Sequence, residues 1–389
     1  MKEITPELIS KLKNKIVKIL PEITNLRHKL HQYPEVGLET YKSSEIIKDF
    51  LKTLSLDYKK PLLGADIIAE LKANQSKTIC LRADMDALPL EEKNDLLYKS
   101  LIPGKMHACG HDGHSAVLAG TALVLDSLKE YLPVNVRYVF QPGEELYGGG
   151  KIMVAKGVCD GCYSAYALHS NPGIQIGTIS SKEGLMYAAG SFFTITIKGK
   201  GCHGAHPEKG LNPIPSASYI VDKIYKLHHK LAANGSVISV CSFEAGTNSN
   251  VIPDNAIIRG TARYIGVDLG DEIESEIRKI VSDITREEGL QFDIIYDRSY
   301  DLPVINSKEG YNLVKNIAKN YLPETYWFKE ENHTTGLEDF AFYLKDREGA
   351  LFWLGMGENS SALHASTFDF NDDALYYGIL AMSLIALSQ

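Results

Sequence analysis

The feature that most constrains the fold is a change of texture near residue 188. Phe193, Ile195 and Ile197 alternate with Thr194 and Thr196, the period-two signature of a half-buried strand. A helical pattern follows over 214–232, strands over 236–244 and 255–264, a helix over 269–288 and a strand over 291–296. The order β-α-β-β-α-β is the ferredoxin-like unit. It interrupts a chain with a different pattern on either side. Upstream, Leu8, Leu12, Ile16, Ile19, Ile23, Leu26 and Leu30 recur at helical spacing, predicting a helix over 6–32 with a break or kink at Pro21. A second helix is expected over 41–54, strands over 77–83, 134–140 and 163–168, and an Ala- and Leu-rich helix over 114–130. Downstream, 308–320 returns to helix and 350–355 is a short apolar run typical of a buried strand. Strands alternating with helices predict an α/β class, with a mixed, mainly parallel sheet and flanking helices. The expected organisation is a discontinuous domain, 1–187 with 301–389, carrying an inserted ferredoxin-like α+β domain at 188–300. A chain of 389 residues is long enough for two cores.

Composition excludes several classes. Hydrophobic residues make up 44% and charged residues 23%, with a net charge of -8. That balance argues against a nucleic-acid or anionic-membrane surface. No run approaches the ~18 apolar residues of a membrane span, and the Met1–Thr5 start lacks the apolar core of a signal peptide. The six cysteines, in a chain this long, suit a reducing cytoplasm better than a disulfide framework. Cys159 and Cys162 have metal or redox spacing but no second pair, so they are read as a turn.

The densest chemistry lies in Met106-His107-Ala108-Cys109-Gly110-His111-Asp112-Gly113-His114, placed on a loop before the Ala-rich helix. Packing rarely needs so many histidines together. A helix N-terminus lowers a cysteine's pKa, which predicts thiolate character at Cys109. The plainer alternative is a polar cap from Asp112 or Ser115. Glu144 and Glu145 follow a strand directly. Such a pair can divide its work, one side chain binding metal and the other acting on water; alone it could be a solvated surface pair. The following Gly148-Gly149-Gly150 run would let a ligand approach the backbone. His169 ends one strand and His364 follows another. In α/β sheets ligands bind beyond the carboxyl ends of strands, and four segments converge there. Asp84 and Asp86, in Arg82-Ala-Asp-Met-Asp-Ala-Leu-Pro89, sit at another strand end. Either can orient a ligand from behind, and turn chemistry before Pro89 is the alternative.

Together these segments resemble the M20 metallopeptidase family in its amidohydrolase branch. The resemblance runs from Arg27-His28-Lys29-Leu30-His31 to the C-terminus. It rests on RADMDALP, MHACGHDGH, QPGEE, Leu168-His169, GKGCHGAHP, NVIP, GTAR, GLEDF and Leu363-His364-Ala365-Ser366. It implies a di-metal exopeptidase-like catalytic domain and a lid domain that also dimerises, giving a homodimer or tetramer. Carried over by position, Cys109, His111, Glu145, His169 and His364 are the implied ligands of two divalent ions. A thiolate among them tolerates Zn, Ni, Co or Mn. Glu144 is the implied general base. Asp86 matches the family's aspartate, with Asp84 standing where the wider family has histidine. His203 is implied to reach a neighbouring subunit's site and stabilise an oxyanion, with His206 a lesser candidate; Cys202 departs from a common glycine beside it. Asn250 and Arg263 are implied to hold a substrate carboxylate. The implied activity is hydrolysis of the amide bond of N-acyl-L-amino acids or short peptides. A biosynthetic N-acetyldiaminopimelate deacetylase is the near alternative. A catalytically silent relative and a cysteine hydrolase using Cys109 are the distant ones. No nucleic-acid or membrane partner is expected, and the expected location is the cytoplasm.

Overall fold

Thr5 caps the first helix by accepting the Leu8 N–H, and Pro6 opens it where no N–H is needed. A computed structural model describes residues 4–322, 329–330 and 332–389. Met1–Glu3, on which part of the leader argument rests, lie outside the described residues. The chain divides into two compact units, Met1–Met186 with Val304–His333 and Asp339–Gln389, and Tyr187–Pro303 with Thr334–Glu338.

The first unit is built on an eight-stranded sheet. Its strands are β1 (Asp57–Tyr58), β2 (Ile67–Leu71), β3 (Thr78–Asp84), β4 (Asn135–Gln141), β5 (Cys162–Asn171), β6 (Ile179–Ser181), β7 (Lys329–Glu330) and β8 (Glu348–Gly355), in spatial order β1-β2-β4-β3-β5-β8-β6-β7. The central strands β4, β3, β5 and β8 are mutually parallel, so their carboxyl ends share one edge. β2 and β6 run antiparallel to their central neighbours. Helices α1 (Pro6–Gln32), α2 (Tyr41–Leu51), α3 (His111–Asp126), α4 (Glu144–Tyr147), α5 (Gly149–Ala155), α6 (Lys308–Tyr321) and α7 (Ala374–Leu387) complete it. Leu12, Ile16, Ile23, Leu26 and Leu30 form the buried stripe of α1 and join α3 and α7 in one core.

The expected break at Pro21 is absent: α1 is continuous through it. The Ala-rich helix begins earlier than expected, at His111, so His111 and His114 lie in its first turn and not on the loop before it. Close backbone packing requires a glycine at 149. A Cβ on Gly149 would stand 1.9 Å from the Pro142 carbonyl oxygen, and Gly149 opens α5. Cys159 and Cys162 close a turn through a 3.0 Å backbone hydrogen bond.

The second unit carries a four-stranded antiparallel sheet. Its strands run Val237–Ala245, Asn255–Tyr264, Ala189–Lys198 and Gln291–Tyr300 in spatial order. Helices Pro213–Leu231 and Val267–Glu287 pack on it through Ile220, Ile224, Ile273, Ile277 and Val281. Numbered along the chain and read from the Gln291–Tyr300 edge, the strands lie in the order 4-1-3-2, the ferredoxin-like arrangement.

Candidate metal centre

Loops leaving the parallel edge of the first unit gather the site. β3 delivers Asp84 and Asp86. β4 runs into α4, whose first residues are Glu144 and Glu145, and β5 carries His169. His364 lies on the loop after β8 with φ +63, a left-handed conformation that costs a non-glycine residue energy and is often held at functional sites. Gly110 (φ +86) turns the chain into α3; a Cβ there would meet Ser170 Oγ at 2.7 Å.

The five expected ligands fall into overlapping groups whose donor atoms lie within 4.8 Å of one another: Cys109 with His111 and His169, Cys109 with Glu145 and His364, and His111 with Glu144 and Glu145. His111 Nδ1 is 2.8 Å from the Asp86 carbonyl oxygen, and His169 Nδ1 is 2.9 Å from the Ser170 carbonyl oxygen. A carbonyl only accepts, so each Nδ1 donates, and Nε2 is the nitrogen of each ring left to face an ion. His169 Nε2 faces Cys109 Sγ at 3.5 Å. His111 Nε2 and Glu145 Oε1 are buried and make no hydrogen bond. His364 Nε2 stands 3.3 Å from Glu145 Oε1 without hydrogen-bond geometry. Buried atoms without hydrogen bonds in a sulfur, nitrogen and oxygen set suit a divalent transition metal. Backbone acceptors behind the imidazoles are what metal histidines use for orientation.

Electrostatics corrects one expectation. Burial pushes the Cys109 thiol well above its ordinary range, and Glu145, Glu144 and Asp84 push it further. The thiolate expected from helix placement is therefore not favoured by the protein alone; a cation must stabilise it. Burial disfavours the His111 cation, but Asp84, Asp86 and Glu145 outweigh it and lift the imidazole to about 10, so an ion bound at Nε2 must displace a proton from it. Burial would raise Asp84, yet His111, Arg82 and His114 hold it well below the usual carboxylate range. Asp86 is raised, chiefly by burial.

Asp84 and Asp86 separate by their partners. Asp86 accepts the backbone N–H groups of Glu144 (3.0 Å) and Glu145 (3.1 Å) and so aims the glutamate pair. Asp84 binds His114 Nδ1 at 2.7 Å and accepts from Arg82 Nη1 at 2.7 Å. The sequence reading gave no role to Arg82, which is fully buried and also bonds Gln141 and Asp339. Nor did it find that Arg27 and His31 of α1 ion-pair with Asp112, next to His111. The available signal was an arginine inside an apolar run: a charge there must be paired.

The remaining candidates belong to the second unit. His203 and Val251 pair across a short two-stranded ribbon, and Asn250 precedes Val251. Both His203 and Asn250 are exposed, as is His206. Arg263 is half-buried, lies over the Phe192 ring and, among the described residues, has no carboxylate partner.

The fold is of the α/β exopeptidase type, and the residue groups at its sheet edge could hold metal ions. The chain belongs to peptidase family M20/M25/M40, whose pattern matches residues 80–388. It is 32% identical to Thermostable carboxypeptidase 1 of Saccharolobus solfataricus over 98% of each chain. It is 30% identical to the N-acetylcysteine deacetylase of Bacillus subtilis, over 93% of this chain and 97% of that one. Among solved structures it resembles the YxeP protein of Bacillus subtilis, described as a dinuclear metal-binding peptidase of the M20 family. That likeness has a TM-score of 0.81 at 29% identity, over 95% and 98% of the two chains. The chain is thus a hydrolase of this family. Among the described residues no helix is long and apolar enough to cross a membrane.

Proposed function

We propose that the chain hydrolyses the amide bond of N-acyl-L-amino acids, releasing the acyl group as a carboxylic acid. The observation that carries this reading is the pair of buried atoms His111 Nε2 and Glu145 Oε1, which make no hydrogen bond and stand beside Cys109 and His169, with Glu144 next in the chain. Cys109, His111, Glu145, His169 and His364 would hold two divalent ions. When bound, such ions supply Lewis acidity toward a scissile carbonyl and toward water. Glu144 accepts the proton of the attacking water and returns it to the leaving amine. Asp86 fixes Glu144 for this by holding its backbone N–H. His203 donates to the developing oxyanion. Arg263 and Asn250 hold the free carboxylate of the amino acid; an arginine fork without a carboxylate of its own suits that task. The relatives' names support the class: one is a carboxypeptidase and one an N-acetylcysteine deacetylase.

We place the enzyme in a reducing cytoplasm, since all six cysteines are free, and read the second unit as a lid that also joins subunits into a dimer or tetramer. The test is turnover of a panel of N-acetyl, N-benzoyl and dipeptide substrates by metal-stripped protein given Mn, Zn, Ni or Co separately. Activity confined to N-acetyldiaminopimelate would replace the broad reading by the dedicated one. Full activity without metal would overturn it in favour of cysteine chemistry at Cys109. Light scattering of the purified protein checks the assembly: a monomer removes the role given to His203.

A further inference from the structure

Strand β3 stops short of its neighbour. Its ladder with β5 ends at the pair Arg82 and Ala167, while β5 continues beside β8 to the pair Asn171 and Gly355. The part of β5 that carries His169 therefore lacks a strand on its β3 side. A buried backbone N–H there needs another acceptor. His114 supplies it: the Ser170 N–H donates to His114 Nε2 at 2.8 Å. An Nε2 that accepts carries no proton, so the proton of this imidazole is on Nδ1, donated to Asp84 Oδ1 at 2.7 Å. Both ring nitrogens are spent, and His114 has no lone pair left for a metal ion although it stands in the ligand-rich segment. Asp84 is held in turn by Arg82 and by Ser115, whose hydroxyl donates to the Asp84 carbonyl.

Ser170 is where this chain of bonds meets the candidate ligands. Its carbonyl oxygen receives His169 Nδ1–H, and its hydroxyl donates at 2.9 Å to the Cys109 carbonyl. The His114 ring also lies against the His169 ring, with centroids 4.8 Å apart. Asp84, His114 and Ser170 are all at most 1% exposed, so water cannot substitute for a lost bond without rearrangement.

We infer that His114 is a positioning residue, an imidazole that replaces the missing end of β3 and, through Ser170, sets the directions of His169 and Cys109. This rests on the reading that those two side chains hold an ion. His114→Asn keeps an amide donor near Nδ1 for Asp84 but places nothing at Nε2. His114→Gln places an amide oxygen near Nε2. Losing a partner behind a metal ligand weakens affinity by about 10–100-fold. Cobalt(II) titration of the metal-stripped full chain should show the Asn variant binding at least ~10-fold more weakly, with an altered thiolate-to-cobalt absorption band, and the Gln variant within ~3-fold of the parent. Hydrogen exchange of the Ser170 amide in the metal-free protein should be fast in the Asn variant and slow in the other two. Parent-like cobalt affinity and slow Ser170 exchange in the Asn variant would overturn the inference. So would equal losses in both variants that simply follow their melting temperatures. A Cys109→Ala control separates the two readings. If it binds cobalt like the parent, the metal assignment fails, while the Ser170 exchange rates still decide the role of His114.

Discussion

Apart from His364, which is exposed, the candidate residues of the two units are held in opposite ways. In the first unit Cys109, His111 and His169 are buried, and each histidine has one nitrogen committed to a backbone carbonyl. In the second unit His203 and Asn250 are exposed on a short ribbon, and Arg263 rests on an aromatic ring. A buried polar group must be directed by the fold, because leaving it unpaired is costly. An exposed one is held by water and can wait for a ligand. On the proposed roles, changes in the first unit should remove metal or chemistry and changes at Asn250 and Arg263 should alter substrate affinity, with His203, given the oxyanion, the exception in the second unit.

The sharpest way to break that contrast is Glu144→Gln. It should lower kcat by about 10³-fold with both ions retained, measured by turnover together with metal content; near-normal activity would remove Glu144 as the base. Arg263→Ala should raise KM by about 10–100-fold, the worth of a charge-assisted pair, with kcat less affected. An equal fall in kcat would place it in the chemistry and dissolve the distinction. Asn250→Ala should raise KM by only about 2–10-fold, as for a neutral hydrogen bond. The smallest effect concerns stability. Burial lowers His31, but Asp112 and Glu92 outweigh it and raise the imidazole to about 9. A raised histidine contributes stability that is complete below its unfolded pKa near 6.5 and is lost as pH rises through about 9. The melting temperature should therefore fall between those values, and His31→Asn should flatten the slope.

Most elements were legible because their periodicity was clean. The stripe of α1 and the alternation Phe193-Thr-Ile-Thr-Ile197 each have one buried face. α7 escaped because it is apolar all round and nearly every residue is buried, which leaves no period to detect. The histidines, Cys109 and the glutamate pair stood out because packing does not require such side chains. Their supports did not, since they join distant segments: Arg82 meets Asp339 across 257 positions. Choosing between Asp84 and Asp86 likewise needed geometry, because local spacing treats them alike and only their partners differ.

The helix α7 has a consequence for how the protein is made. Its apolar surface lies in the same core as α1 and α3, the helix whose first turn carries His111. That core cannot close until residue 387 has left the ribosome. The second unit draws nearly all of its chain from the continuous stretch Tyr187–Pro303, which is synthesised before α7. Synthesis therefore presents an internal stretch able to collapse while α1 and α3 still lack their partner, so α3, with His111 in its first turn, gains its full packing only once α7 has emerged. A nascent chain stalled before α7 should expose apolar surface from its first unit and attract chaperones, while its middle is already resistant to protease.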